Sequence, residues 1–493
     1  MYNNKGIPSG GNGTATKTVS KTELIAVAAF LLYFAIKAFY FAFSIGENIF
    51  PDEITHFGMA EFFSRSLLPP ADSPESYQFS LITTFPILYF YLMGKVLSLN
   101  IFPVSNLVFL RCINVCISTL TVWFGWKFIR LIVSETVVRL LFVAMITNTM
   151  MFTFISGAVS YDNLTNCLAV LALYYLFSFF QSRSYSNFLL FVLFVSMGML
   201  TKFTFLPYAF ALLAVFLFHE RKNLRFLPSA AVSLFSPFRR KNYLLLILCL
   251  FFIATATNLF LGNLFKYGKL QPVMDEVLGL EQALQNRIFA RDYILRLFKE
   301  GKVSYSEAQN MAYTHIKHLG DLYATLGYLE GTVRNWNIPR IDRFRYAFVW
   351  SDIMLERTFG ILAHKSMVKS GTDLLPYLLL LLMVGVLLVR RLNTFSLRGA
   401  SIYLLFIAGF YALTLMQLVN YKLYFSIGVL AVDIQGRYIF PVLVPIYVLA
   451  AYYLAGFGSK LWQWGIFLTV TAIFIYGEFP WFLQKVSPDW FFK

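Results

Sequence analysis

Apolar runs long enough to cross a bilayer recur along the whole chain, separated by short polar segments that carry most of its Lys and Arg. A spanning helix needs roughly 17–25 apolar residues. Runs near 23–45, 106–130, 137–157, 164–180, 187–200, 205–218, 242–262, 373–391, 400–419, 438–456 and 463–478 predict about eleven. The runs at 187–200 and 205–218 are short, which makes them candidates for half-length helices meeting at Thr201-Lys202. A further apolar segment, Thr83 to Leu99, is also short and contains Pro86, Gly94 and Lys95. If it crossed, the loop from Lys127 to Arg139 would lie opposite the other basic loops. Those are Arg183, the cluster Arg221, Lys222, Arg225, Arg239, Arg240 and Lys241, and Arg390, Arg391 and Arg398. Keeping every short basic loop cytoplasmic, as the positive-inside rule requires, makes 83–99 a juxtamembrane helix on the outer face.

Lys5, Lys17 and Lys21 precede the first run, which lacks a small-residue cleavage site and is read as a retained helix. Gly46–Thr83, Asn263–Asp373 and Asn420–Arg437 then face out. The expected organisation is a cytoplasmic tail over 1–22, a transmembrane module over 23–262, an extracytoplasmic cap over 263–372 and carboxy-terminal transmembrane helices over 373–493. Helical patterns at Val273–Phe298 and Ser304–Leu319 make the cap small and helical, without the alternation of a β domain. No internal repeat is evident, which weakens a transporter built on inverted halves.

The fold class is therefore all-α and polytopic. Composition agrees: over 493 residues, 58% are hydrophobic and 13% charged, half the charged share of about 25% in soluble domains, so a soluble enzyme is excluded. The net charge of +16 falls in short loops and reads as an orientation signal rather than a nucleic-acid surface. Cys112, Cys116, Cys167 and Cys249 lie in or beside apolar runs with no zinc spacing and read as small core residues.

Charges at the outer mouths of the spans carry the candidate chemistry. Pro51-Asp52-Glu53-Ile54-Thr55-His56-Phe57 follows the first run, and acids there are costly beside hydrocarbon unless they serve a site. If Asp52 opens a helix, His56 shares its face and Glu53 turns away; the competing reading is a helix start that favours acids. Asp162, in Ser160-Tyr161-Asp162-Asn163, is either a helix cap or a second carboxylate beside Asp52. Lys202, between two short runs, and Arg437-Tyr438, after Gly436, are fixed cations of the kind a lipid phosphate needs, with snorkelling as the alternative. Arg334, Arg340, Arg343 and Arg345, interleaved with Trp336, Tyr346 and Trp350, suit sugars or anions but equally a surface resting on headgroups. His315, His318 and His364 show no metal spacing with nearby acids, though His315 and His318 stand at i, i+3.

With Asp52-Glu53, the Pro-opened segment Phe85-Pro86-Ile87-Leu88-Tyr89, Asp162 and Leu200-Thr201-Lys202 in this order, the chain resembles the GT-C superfamily of integral-membrane glycosyltransferases. Pro51-Asp52-Glu53 with His56-Phe57, and Gln435-Gly436-Arg437-Tyr438 before Pro441, resemble its bacterial branch. The resemblance implies a polyprenyl-phosphate-linked sugar donor and an acceptor hydroxyl on a surface glycan or glycolipid, such as O-antigen or a cell-wall polymer. It implies a site on the extracytoplasmic side of a bacterial inner membrane. It also implies Asp52 as general base in an inverting displacement, Glu53 as its nearest substitute, and Asp162 as a hydroxyl binder or metal ligand. Lys202, Arg437 and Tyr438 are then expected at the donor phosphate, and His56, Arg340, Arg345 and Trp336 at substrate. Members differ in needing a divalent metal, so Mg or Mn is left open. The small cap argues against peptide-sequon recognition of the oligosaccharyltransferase kind. The principal alternative is a transporter or flippase for lipid-linked sugars, which calls for broken helices near mid-membrane and polar residues within several spans.

Overall fold

The structure is a computed structural model that describes residues 20–221, 240–334, 340–391 and 399–492. Among them the chain is helical throughout, with two isolated bridges, Ile45 to Phe491 and Ile361 to Met367, and no strand. Among the described residues eight helices are long and apolar enough to cross a membrane: Lys21–Ser44, Asn106–Ile132, Tyr161–Ser182, Asn242–Tyr267, Gly371–Arg391, Ala400–Ile427, Gly436–Ala455 and Lys460–Lys485. Tyr185–Thr201 and Phe205–Glu220 have 17 and 16 residues. They rise about 24–26 Å against a hydrocarbon core of about 30 Å, so the turn between them, which carries Lys202, lies short of the full thickness. The chain is a multi-pass membrane protein of the expected fold class.

The run expected as a span over 137–157 is bent. Thr136–Thr147 and Met150–Ser156 meet at 63°. The Thr147 hydroxyl donates back to Val143 O at 2.7 Å and Asn148 Nδ2 to Ala144 O at 2.8 Å, which ends the first helix. The freed groups find a partner in Lys37, whose Nζ donates to Thr147 O and Asn148 Oδ1, both at 2.9 Å, and pairs with Glu478. A break among spanning helices persists only where its backbone is satisfied in this way.

Burial orders the bundle. The apolar windows of Tyr161–Ser182 and Gly436–Ala455 are 78% buried, against 11% for Gly371–Arg391 and 17% for Asn242–Tyr267. The first two are central; the last two present Leu382, Val389, Phe251 and Phe265 outward, as lipid-facing helices do. Ten-residue Leu88–Leu97 rises only about 15 Å and lies against Glu53–Ser64, where Gly94 admits the backbone of Ala60 and Phe63. It is the non-crossing helix expected within 83–99.

Between Asn242–Tyr267 and Gly371–Arg391 stands a helical layer with its own core, including Phe289, Ile294, Leu295, Ala308, Ala312 and Leu329. The helix expected over Val273–Phe298 is three: Met274–Val277, Leu280–Ala283 and Arg287–Lys299. Asn286 restarts the chain, its side-chain oxygen accepting from the N–H of Ile288 and Phe289 at 3.1 Å each. Ser304 and Glu307 form a capping box for Tyr305–His315, which stops before His318; Leu319–Arg334 and Arg343–Phe359 follow.

Candidate functional site

The ends of Lys21–Ser44 and Tyr185–Thr201 and the starts of Asn106–Ile132, Tyr161–Ser182 and Gly436–Ala455 meet on the cap side. Arg111 binds them together. All its N–H groups are used: Nε and Nη2 donate to Glu53 Oε1 and Oε2 at 2.9 and 2.5 Å, Nη1 to Ala42 O and Ile45 O at 3.1 and 2.6 Å, and Nη2 also to Gly46 O at 3.4 Å. Glu53 in turn accepts the Val159 N–H at 2.9 Å. One buried ion pair thereby ties the first spanning helix, the helix carrying the acidic pair and the approach to Asp162. Glu53 is turned away from Asp52 and fully engaged, a positioning residue by its contacts.

Asp52 sits in the left-handed region, φ 56°, as N-cap of Glu53–Ser64, yet its side chain makes no cap bond. It turns instead to Arg437, which donates through Nη2 to Asp52 Oδ2 and through Nη1 to Pro51 O at 3.3 Å. A non-glycine residue held at positive φ is an outlier of the sort that gathers at functional sites. Arg437 Nη1 is also 3.5 Å from Asp162 Oδ2, and Lys202 Nζ lies 2.5 Å from Asp162 Oδ1, between the rings of Tyr161 and Tyr438 at 4.6 and 4.5 Å. The capping role foreseen for Asp162 falls to Ser160, whose Oγ accepts the Asp162 N–H at 3.3 Å. Lys202 and Arg437 are 6% and 1% exposed, so neither snorkels. Arg437 Nε is buried without a hydrogen-bond partner among the described residues.

His56 shares the Asp52 face as expected: its backbone N–H donates to Asp52 O at 3.0 Å, its Nδ1 lies 3.2 Å from Val159 O and its ring 4.3 Å from Tyr161. Burial pushes His56 down to about 4 despite Asp52, so it is neutral at physiological pH. For Asp52, burial acts upward, but the guanidiniums of Arg437 and Arg287 outweigh it and hold the carboxyl well below the usual range. Arg287 is 3.5 Å from Asp52 Oδ1, donates to Thr55 Oγ1 at 3.0 Å and pairs with Asp321. Lys202 and Arg437 pair with Asp162, and Arg437 and Arg287 with Asp52; among the described residues neither acid stands in a group of three or more His, Cys, Asp or Glu donors of the size a metal ion needs.

Gly436 stands where a Cβ would fall on the carbonyl of Arg357 and the N–H of Thr358. The backbone approach it permits is to the Arg343–Phe359 helix, and that contact sets where Arg437 enters.

Residues 85–239, which include Arg111, Asp162 and Lys202, match the family model described as dolichyl-phosphate-mannose-protein mannosyltransferase. Over that third of its length the chain is similar to this GT-C type of glycosyltransferase. It is similar to the S. cerevisiae protein O-mannosyltransferase Pmt1-Pmt2 complex bound to the sugar donor, at 15% identity over 53% of this chain and 36% of that one, TM-score 0.35. It is also similar to the archaeal oligosaccharyltransferase AglB from Archaeoglobus fulgidus in complex with an inhibitory peptide and a dolichol-phosphate, at 12% identity over 93% of this chain and 55% of that one, TM-score 0.45. The chain thus spans less than two thirds of either. No curated protein matches it.

In this chain the structure brings together Asp52, His56, Asp162, Lys202, Arg437 and Tyr438. It does not bring in the basic aromatic patch: Arg340 lies over Phe425 at 4.3 Å and Arg345 beside Asp342 at 3.6 Å, both exposed. Neither has a hydrogen bond or ion pair to the Asp52 cluster among the described residues: Arg340 precedes the Arg343–Phe359 helix, and Arg345 lies on the exposed side of its first turn while Tyr346 is buried. Trp336 lies outside the described residues. Arg111 and Arg287 were not singled out in the sequence. A lone Arg inside an apolar run was a signal for the first; nothing local marked the second.

Proposed function

We propose that this protein is a membrane glycosyltransferase that moves a sugar from a polyprenyl-phosphate donor to an acceptor hydroxyl, with Asp52 as general base. The observation that carries this reading is the Asp52–Arg437 contact: a partly exposed carboxylate touching a buried cation, with Asp162 and Lys202 directly behind. Asp52, 24% exposed, is the acid a hydroxyl can reach; Asp162, 3% exposed, holds the cations. A donor phosphate entering the cluster competes for Arg437 and draws it off Asp52, which regains basicity as the acceptor arrives. Asp52 then takes the hydroxyl proton while the oxygen attacks the anomeric carbon, the carbon–oxygen bond to phosphate breaks, and the anomeric centre inverts. The phosphate gains a negative charge as it leaves, and Arg437 and Lys202 stabilise it there without any proton donor. Tyr438 and Tyr161 keep Lys202 aimed. Arg130, Arg183, Arg221 and Arg390, at the helix ends away from the Asp52 cluster, support a site on the extracytoplasmic face of a bacterial inner membrane, acting on a surface glycan such as O-antigen or a cell-wall polymer.

The helix broken at Asn148 and the Lys37–Glu478 pair are features that a transporter for lipid-linked sugars calls for. Here Lys37 satisfies the break itself, and the acids and cations of the site gather at one end of the bundle. A vesicle assay in which lipid-linked sugar is flipped without acceptor would favour transport.

The test of the donor site is binding of polyprenyl phosphate to purified protein. Each charged hydrogen bond contributes about 1.5–3 kcal/mol, so Arg437→Gln and Lys202→Gln are each expected to weaken binding roughly 10- to 100-fold. Undiminished binding by both, in protein that elutes as wild type, contradicts the assignment.

A further inference from the structure

Beyond Arg287 stands a second cluster of ligating side chains. His318 lies in the link before Leu319–Arg334, Asp321 in the first turn of that helix, and His364 in the loop after Arg343–Phe359. Each offers one donor atom, and the three atoms lie within 4.8 Å of one another. The i, i+3 relation that mattered joins His318 to Asp321, not to His315, because the Tyr305–His315 helix ends first. The arrangement is held from several sides. His364 N–H donates to Ile49 O at 3.1 Å, the two imidazoles sit 5.1 Å apart, and His318 Nδ1 is 2.9 Å from Asp321 Oδ2. Gly320 leaves the space open, since a Cβ there would lie 3.1 Å from the His318 ring. Among the described residues His364 Nε2 is buried with no hydrogen-bond partner, a ring nitrogen with capacity to ligate.

Two imidazoles and a carboxylate from three separate places are a donor set for zinc and its neighbours, with further positions left for water. A tetrahedral ion with bonds of about 2.1 Å sets its donors about 3.4 Å apart. His318 and Asp321 are partly exposed, so their side chains have room to turn towards that spacing. We propose that His318, Asp321 and His364 bind one divalent metal ion of the zinc class. Coordination takes Asp321 away from Arg287, which is then shared with Asp52 alone; this consequence rests on the glycosyltransferase reading, whereas the metal site does not.

The test uses full-length protein purified in mild detergent without a polyhistidine tag, stripped with a chelator and titrated with Co2+. The expected result is one equivalent bound, with visible d–d absorption displaced by Zn2+. His318→Ala and His364→Ala are expected to weaken binding by at least about tenfold, while His315→Ala retains it. His364→Gln replaces His364→Ala if the latter does not elute as wild type. Absence of saturable binding by the wild type, or undiminished binding by both His318 and His364 variants, overturns the assignment. The readout is independent of sugar transfer, so its failure and that of the transferase reading are distinguishable.

Discussion

Arg111 offers the sharpest test of how the site is held. It is wholly buried, as is Glu53, and replacing Arg111 by Met leaves an unpaired carboxylate and strips a donor from Ala42, Ile45 and Gly46 carbonyls. Removing one member of a buried pair costs about 3–5 kcal/mol, whereas replacing both is often close to neutral. Arg111→Met is therefore expected to destabilise the protein by about 3–5 kcal/mol. Adding Glu53→Gln removes the stranded charge but keeps an acceptor for the Val159 N–H, so the double variant is expected to recover about half of that loss. What it cannot recover is the set of carbonyl contacts around Gly46. Unfolding in mixed micelles with increasing denaturing detergent reads these differences as free energies. A double variant less stable than Arg111→Met, or an Arg111→Met protein as stable as wild type, would refute the reasoning.

Two further outcomes follow from the geometry. Gly436→Ala drives a methyl into the backbone of Arg357 and Thr358; it is expected to cost about 1–3 kcal/mol and to reduce phosphate binding through Arg437 in the same titration used for Arg437→Gln. His56 is depressed from about 6.5 to about 4, so the folded state binds fewer protons than the unfolded between those values. Stability from this group is complete above pH about 6.5 and falls as pH drops towards 4, by at most about 3 kcal/mol. His56→Gln is expected to flatten that slope in melting curves recorded across the range; an unchanged slope contradicts the burial argument.

The spans and the principal charges were legible because both leave local marks. Hydrophobic runs set the bundle, and Asp52, Asp162, Lys202 and Arg437 stand at run ends where any charge is conspicuous. Their meeting could be anticipated from a shared side of the membrane. The supports could not be located in the same way, since they depend on partners far along the chain: Lys37 and Glu478 are 441 positions apart, Arg111 and Glu53 58. A single Lys or Arg inside a run is averaged away when runs are judged by length and apolar content, and so Lys37 and Arg111 passed as parts of spans. The bend at Asn148 escaped for the same reason, because its satisfaction comes from Lys37 on another helix. The close approach at Gly436 is to the Arg343–Phe359 backbone, a partner far back in the chain that no local pattern marks. In the cap, periodicity found helical character but not the restart at Asn286.

Transfer of radiolabelled sugar from polyprenyl phosphate by Asp52→Asn membranes bears on the central claim most directly. Loss of a general base predicts a rate lower by about 10²–10⁴-fold, with polyprenyl phosphate still bound because Lys202 and Arg437 remain. Transfer at the wild-type rate by that variant would contradict the account.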